Sequence, residues 1–382
     1  MKYLHLCLDH NFIEKSYDMF DKYYPGKNIY LINKNPDDFK IIKDKSRFIG
    51  IPYQRKENFD RVWEICQSEE IYTLVLHGIS LSQRKIVEYL LSKRDFKIYW
   101  IFWGFELYQT LAFKHGYKLI DERFSLFKPH TYLFPSKITY IMRKLLNKAY
   151  IPESLEFLLP HIDYFCFWNK FDYELLCKYY KTSIKFKYFN YGGIYNKETQ
   201  LNFLYPLKNK EGNDPVIMIN HQASQTGNHM TIMKRIHEID SLNRFTKLLP
   251  ISYGSIRLRA QIKDVGSKLF NEKFYPVENY MNVDEYYKLL SNVDVAVFGQ
   301  HRQEAAGNII QLLRNGVKIF LRNDNNLLNY YKSKGYLVFS YEDDLNSYED
   351  LQPLTLEEKE HNRNCYIQSI PYCDDFMPNF FE

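Results

Sequence analysis

Short apolar runs alternate along the chain with longer stretches in which apolar residues recur every three or four positions. Continuous apolar runs of strand length suit strands covered on both faces, and the longer periodic stretches suit the helices that cover them. In the first half, Tyr3–Leu8, Ile29–Ile32, Ile71–Leu76 and Ile98–Phe102 are predicted strands, with helices over Asn11–Tyr23 and Ser82–Ser92 between them. In the second half the predicted strands are Val216–Ile219, Thr246–Ile251, Val293–Phe298, Val317–Leu321 and Tyr336–Phe339. Helices are predicted over Asn228–Leu242, Ile256–Phe270, Val283–Leu290, Glu304–Arg314 and Asn326–Lys334. Gly316 follows Asn315 and ends one of these helices, because glycine takes the left-handed backbone of a helix C-terminus without cost. Alternation of this kind predicts α/β architecture with parallel sheets.

The pattern lapses between Tyr191 and Pro215, where YGGIYNKETQLNFLYPLKNKEGNDP is turn-rich and polar. The chain is therefore expected to divide into residues 1–200 and 201–382, joined by one linker. At 382 residues each half is long enough to bury its own core. Two doubly wound, Rossmann-like domains follow, with ligands at the carboxyl ends of the strands in the cleft between them.

Composition narrows the classes. Apolar residues at 45% and charged residues at 25% exclude wholesale disorder. Fifty-one basic against 46 acidic side chains leave a formal charge of +5, too weak to argue for a nucleic-acid partner. The 17% aromatic content follows a general usage of Lys, Asn, Ile and Tyr and is not taken as a sign of an aromatic-lined site. No apolar run approaches the ~18–20 residues that span a bilayer. The opening MKYLHLCLDH reaches Asp9 and His10 too soon for a signal-peptide core, so a cytosolic chain is expected. Six widely separated Cys, without a CxxC pair, read as free thiols filling cores.

Several phosphate-binding signatures are missing. No GxGxxG occurs, since no two of the 15 Gly lie two residues apart, and no GxxxxGK[ST] occurs either. There is no DxD to hold a divalent ion against a nucleotide diphosphate. Any such diphosphate must be met by helix N-termini, backbone N–H groups and Arg or Lys, with no cofactor or divalent metal expected.

Three strand-to-helix loops in the second half suit that task. After VIMIN, the run His221–His229 offers Ser224, Thr226 and Asn228 as caps, with His229 in the first helical turn; Asn220 closes the strand. LPISYGS ends its strand in Tyr253 and Gly254. VAVFGQHRQEAAGN carries Arg302 and Gln303, then Gly307 and Asn308 in the first turns of a helix. Singly, the first reads equally as an ordinary capped βα loop and the third as a solvated Arg with a packing Gly, while the second reads more readily as a plain turn. In the first half, Asp9 and His10, His77-Gly78, and Trp103-Gly104 with Glu106 follow predicted strands. Asp9, His77 and Glu106 are the candidates for a general base that takes a proton from an acceptor hydroxyl, with Asp9 ranked first. The alternatives are a helix cap for Asp9, a structural histidine for His77 and an ion pair with a neighbouring Lys or Arg for Glu106. Between Arg123 and Pro152 there are six Lys or Arg and no acid, interleaved with apolar and aromatic residues. Lys137, Arg143, Lys144 and Lys148 there suit contact with anionic lipid, or simply the solvated face of an amphipathic helix.

Together these motifs resemble glycosyltransferase family 56, the TDP-N-acetylfucosamine:lipid II N-acetylfucosaminyltransferases of surface-polysaccharide synthesis. The resemblance rests on His77-Gly78, the WGFELY run Trp103–Tyr108, NHQASQTGNH (Asn220–His229), PISYG (Pro250–Gly254), and HRQEAAGN with the following NGVKIFLRNDN. It implies a GT-B, metal-free, inverting transferase that takes a TDP-deoxysugar, such as 4-acetamido-4,6-dideoxygalactose, on the second domain. It also implies a polyprenyl-diphosphate-linked glycan acceptor on the first domain, and peripheral attachment to the cytoplasmic face of the inner membrane. Two other classes stay open on the sequence alone: a sugar-nucleotide epimerase or hydrolase of similar build, and a non-enzymatic membrane-peripheral scaffold.

Overall fold

The computed structural model describes residues 2–121, 151–195, 204–207 and 215–382. The basic stretch with Lys137, Arg143, Lys144 and Lys148 lies outside the described residues, as does much of the expected linker.

The chain forms two compact units. The first holds a seven-stranded parallel sheet in the order β3-β2-β1-β4-β5-β6-β7. Its strands are β1 (Lys2–Cys7), β2 (Asn28–Ile32), β3 (Ile49–Gly50), β4 (Ile71–His77), β5 (Lys97–Ile101), β6 (Tyr164–Cys166) and β7 (Lys185–Lys187). The second holds six parallel strands in the order β10-β9-β8-β11-β12-β13. These are β8 (Val216–Ile219), β9 (Thr246–Pro250), β10 (Phe274–Val277), β11 (Val295–Val297), β12 (Lys318–Leu321) and β13 (Phe339–Ser340). In both sheets the first strand lies centrally and the order reverses beside it, between β1 and β4 and between β8 and β11. A doubly wound sheet opens its ligand crevice at that reversal, beyond the carboxyl ends of the strands.

The predicted α/β architecture is present, and the helix Ile256–Phe270 has its predicted bounds. Sequence pattern passed over β3, β6, β7 and β10, which are two to four residues long. Strands so short lie below the window in which periodicity is readable. It also passed over the helix α4 (Phe105–His115), so Glu106 stands in a helical first turn and not in a loop.

In the first unit, α1 (Phe12–Tyr23) and α3 (Leu81–Leu91) follow the two strands at the reversal, with α2 (Phe59–Ser68) between them in the chain. Ser80 and Gln83 form a capping box at the start of α3. The buried Gln83 amide also donates to the carbonyls of Leu6 and His77, tying the ends of β1 and β4 together.

Two stretches lie on the other unit from the one that a single linker predicts. Residues 118–121 belong to the second unit, and Pro371–Glu382 belong to the first. The second exchange has an apolar cause. Cys373, Met377 and Phe380 are fully buried in the first unit's core with Met19, Phe20, Val75 and Tyr99. Phe381 stacks on Tyr3 at 3.6 Å. Of the first stretch, Leu119 is buried and Asp121 is bound by charged partners described below. Among the described residues, no helix is long and apolar enough to cross a membrane.

Candidate active site

On the second unit, the three loops singled out from the sequence lie side by side at the ends of β8, β9 and β11, joined through their backbones. Ala223 N donates to Tyr253 O and Ser255 N to Ala223 O. Gly254 holds φ +108°, and a Cβ there would stand 2.3 Å from Ala223 O. A Cβ on Gly299 would stand 2.1 Å from Gly227 O. Glycine is required at both positions by this close approach of backbone to backbone. Asn220 spans the same gap, its amide donating to Gly227 O and accepting from Gly299 N.

Asn228 stands in the left-handed region at φ +49° and makes no side-chain cap. Its amide donates to the carbonyls of Leu119, Thr226 and Gly299, and accepts from Asp121 N. It therefore braces loops where a cap was expected. His229 is buried in the first helical turn, and burial pushes it down to about 3, so it is neutral at pH 7.

Arg302 pairs through Nε and Nη2 with one Glu304 oxygen, both at 3.1 Å. Glu304 also accepts from Gln222 Nε2 at 2.7 Å and Thr226 Oγ1 at 2.8 Å. Burial by itself would raise the Glu304 carboxyl, but Arg302 and these donors hold it below its usual value. Ser224 Oγ lies 2.8 Å from Thr226 Oγ1. Glu304 is the hub of this cluster, and sequence reasoning quoted it without singling it out. A carboxylate two residues from an Arg is an ordinary pattern, and only the fold brings Gln222 and Thr226 to it.

The helix Ala306–Arg314 starts after Ala305, a non-glycine residue at φ +66°. Such a backbone costs on the order of 1–3 kcal/mol and persists only where its surroundings impose it. Gly307 in the first turn is exposed, and a Cβ there would meet open space. Asn308 accepts from Tyr286 OH at 2.8 Å. Tyr253 is 48% exposed at the loop edge and Gln303 is partly exposed. Among the described residues, the result is a helix N-terminus with an exposed first-turn glycine beside a charged, hydrogen-bonded loop cluster, the arrangement that receives phosphate.

A second charged group closes the same unit. Asp121 accepts from His301 Nε2 at 2.9 Å, from Arg322 Nη1 at 2.7 Å and from Lys118 Nζ at 2.9 Å. His301 Nδ1 lies 2.8 Å from Asp324. Burial would lower His301, but the carboxylates on its two nitrogens raise it above 6.5. This anchorage of residues 118–121 was not legible in the sequence, since 180 residues separate Asp121 from His301.

On the first unit, the three candidate bases stand at the ends of β1, β4 and β5 and each is engaged. The Asp9 carboxylate accepts from Lys34 Nζ and from the backbone N–H groups of Lys40, Ile41 and Ile42. Burial opposes its ionisation, yet Lys34 and these amides bring it down to about 2. Asp9 is no helix cap, because α1 begins after Asn11; it fixes the loop beyond β2. Glu106 is buried and its Oε1 accepts from Trp100 Nε1 and Trp103 N, both at 3.0 Å. His77 is fully buried, and burial with the neighbouring His5 holds it well below 6.5. Its Nε2 lies 3.0 Å from His5 Nδ1, and its Nδ1 lies 2.6 Å from Tyr191 OH.

Two comparisons set this geometry in context. Solved structures resemble the chain over its whole length. A sucrose-phosphate synthase from Thermosynechococcus elongatus has a TM-score of 0.61 at 10% identity, covering 100% of this chain and 97% of that one. Anabaena HepE in complex with UDP and glucose has 0.58 at 10%, covering 100% and 98%. A glycosyltransferase from Rickettsia africae has 0.57 at 11%, covering 99% and 96%. At such identities the likeness is one of fold, and the fold is GT-B. This fold, together with a family model that matches the second unit, makes the chain a glycosyltransferase. The model of a family described as 4-alpha-L-fucosyltransferase glycosyl transferase group 56 matches residues 194–353, and this is the family that the sequence resembles. The match includes all three loops of the second unit and stops short of His77-Gly78 and Trp103–Tyr108. No curated protein matches the chain in sequence.

Proposed function

We propose that the protein is a metal-independent, inverting transferase that moves 4-acetamido-4,6-dideoxygalactose, or a related deoxysugar, from its TDP donor to a polyprenyl-diphosphate-linked glycan. The observation that carries this reading is the N-terminus of the helix Ala306–Arg314, with Gly307 exposed in its first turn, beside the three joined loops. A nucleotide diphosphate brings about two negative charges. The helix N-terminus, Arg302, Gln303 and Ser224 supply donors for them, and Tyr253 offers a face at the loop edge. Asn220, Asn228, His229 and Gly254 hold the loops in place. The acceptor is assigned to the first unit, at the ends of β1, β4 and β5. Asp9 and His77 have their proton-binding atoms turned to donors of the protein itself, and Glu106 Oε1 takes two N–H groups. We therefore assign these three to building the acceptor side, not to removing the proton. Attachment to the cytoplasmic face of the inner membrane through Lys137, Arg143, Lys144 and Lys148 completes the proposal, since a polyprenyl acceptor lies in that membrane.

The deciding experiment incubates the protein with the TDP-sugar and a polyprenyl-diphosphate-linked disaccharide, with and without EDTA, and weighs the products. A trisaccharide-lipid formed equally in both arms is the expected result. A changed donor without an acceptor product would point to an epimerase or hydrolase. Product only with added Mg²⁺ would contradict the metal-free reading.

A further inference from the structure

A continuous hydrogen-bond chain runs through the first unit from the interior to its ligand-facing rim. The Asn28 amide nitrogen donates to Tyr24 O at 2.8 Å, which turns Asn28 Oδ1 toward His5 Nε2 at 3.2 Å. Burial brings His5 down to about 3 and His77 well below 6.5, so both rings are neutral at pH 7 and each carries one N–H. Asn28 Oδ1 can only accept, which places the His5 proton on Nε2 and leaves Nδ1 as an acceptor. His77 must then donate from Nε2 to His5 Nδ1, and its own Nδ1 accepts from the Tyr191 hydroxyl. The Tyr191 oxygen in turn accepts from Trp103 Nε1–H at 3.0 Å. Every donor and acceptor is matched in one direction, from Trp103 to Asn28.

The chain ends at one side chain, and the remaining contacts of Trp103 serve the same end. Glu106 holds its backbone N–H. Gly78, at φ +76°, lies under its ring, and a Cβ there would stand 3.2 Å from Cδ2. Two neutral histidines and a phenol in a closed core are costly groups, kept only when fully satisfied. What they fix is a partly exposed indole, at the strand ends where a doubly wound sheet receives its ligand.

Beside Trp103 stand two more rings. Phe12 is 45% exposed, lies nearly perpendicular to Trp103 at 6.3 Å and stacks on Tyr191 at 4.9 Å. His10 lies 4.6 Å from Trp103. Burial lowers His10, so it too is neutral at pH 7, and its Nδ1 accepts from Phe12 N at 3.3 Å. That leaves the His10 proton on Nε2 as a donor at the edge of the rings. The negative faces of two rings attract the polarised C–H groups of a pyranose, and a donor at the edge suits its hydroxyl.

We propose that Trp103 and Phe12, with His10 Nε2 at their edge, form a platform for a pyranose ring of the acceptor, and that Tyr191 and His77 are positioning residues that hold the Trp103 indole there. The proposal deepens the reading of the protein as a glycan-acceptor transferase and rests on it. Tyr191→Phe removes the one hydroxyl shared by His77 and Trp103. Phe12→Leu removes the half-exposed ring and keeps an apolar side chain at the start of α1.

Both variants are assayed with the polyprenyl-diphosphate-linked disaccharide, beside TDP titration calorimetry. The expected result is an acceptor KM raised about tenfold or more, with kcat within about threefold and unchanged TDP affinity, the mark of lost acceptor binding. A merely structural role would lower the active fraction, and with it kcat, and leave the acceptor KM alone. If the wild type transfers sugar and both variants keep its KM, the platform is overturned while the proposed function stands. If the wild type transfers nothing, the proposed function fails, and tryptophan fluorescence then decides the platform. Methyl pyranosides of glucose, galactose and N-acetylglucosamine should shift the emission of the wild type but not of Trp103→Phe. No shift with any of the three overturns it.

Discussion

The two sheets share one strand order, yet the ends of β1, β4 and β5 and the ends of β8, β9 and β11 are built by opposite means. The first unit uses side chains. Asp9, His77 and Glu106 each turn inward onto protein donors, and what is left at the rim is aromatic. The second unit uses backbone. Glycines and asparagines let three loops touch, and what is left at the rim is a helix N-terminus with a paired Arg. The difference fits the ligands assigned to each side. A diphosphate is met by N–H groups and charge, whereas a sugar ring is met by flat apolar faces with few directed hydrogen bonds.

The comparison can be broken most severely at Gly299. Gly299→Ala puts a Cβ 2.1 Å from Gly227 O, so the β8 and β11 loops must part. We expect a loss of roughly 3 kcal/mol or more in denaturant unfolding, near the upper end for overpacking, together with lost TDP binding. A variant of normal stability would mean that the loops are not held by backbone contact.

Asp9→Asn tests the side-chain construction of the other unit. It breaks the pair with Lys34 and unsettles the amides of Lys40–Ile42, at an expected cost of about 1–3 kcal/mol. Turnover of the folded fraction should stay within a few-fold. A drop of about 10²–10⁴ at unchanged stability would instead make Asp9 the base. On the donor side, Arg302→Ala should weaken TDP binding by about ten- to a hundredfold in calorimetry, as loss of one charge-assisted contact does. Unchanged affinity would remove Arg302 from the donor site.

The smallest expected effect is a pH dependence confined to the second unit. His301 is raised above 6.5 by Asp121 and Asp324 against the opposing effect of burial. Its ion pairs therefore stabilise fully below about pH 6.5 and fade as pH rises through the higher folded value. Thermal unfolding should show a slope on that side of neutrality that His301→Gln removes. Asp9 behaves in the opposite sense, contributing above its ordinary value of 3.8 and losing its contribution as pH falls toward about 2. An unchanged slope in His301→Gln would show that the anchorage of residues 118–121 does not depend on His301.

Periodicity and turn chemistry along the chain were enough for the α/β class, most of the long elements and the three loops of the second unit. Each of those loops is one contiguous strand–loop–helix segment, so its capping residues, glycines and Arg302 stand within a few positions of one another. Local chemistry is legible when it is local in the chain. The same pattern sets Asp9 and His77 at strand ends, but it does not say what either would meet. Tyr191 is 114 residues from His77, and Lys34 is 25 from Asp9. His5 sits inside a strand whose apolar pattern hides it. Glu106 looked like a loop residue because α4 begins directly behind a tryptophan and a glycine. The exchange of residues 118–121 and 371–382 between units was likewise settled by tertiary packing, through Asp121 in one case and Met377 and Phe380 in the other. Propensity and periodicity act over one turn or one strand. Whether a titratable side chain faces solvent or a buried donor depends on which distant segment folds over it, and that only the tertiary structure decides.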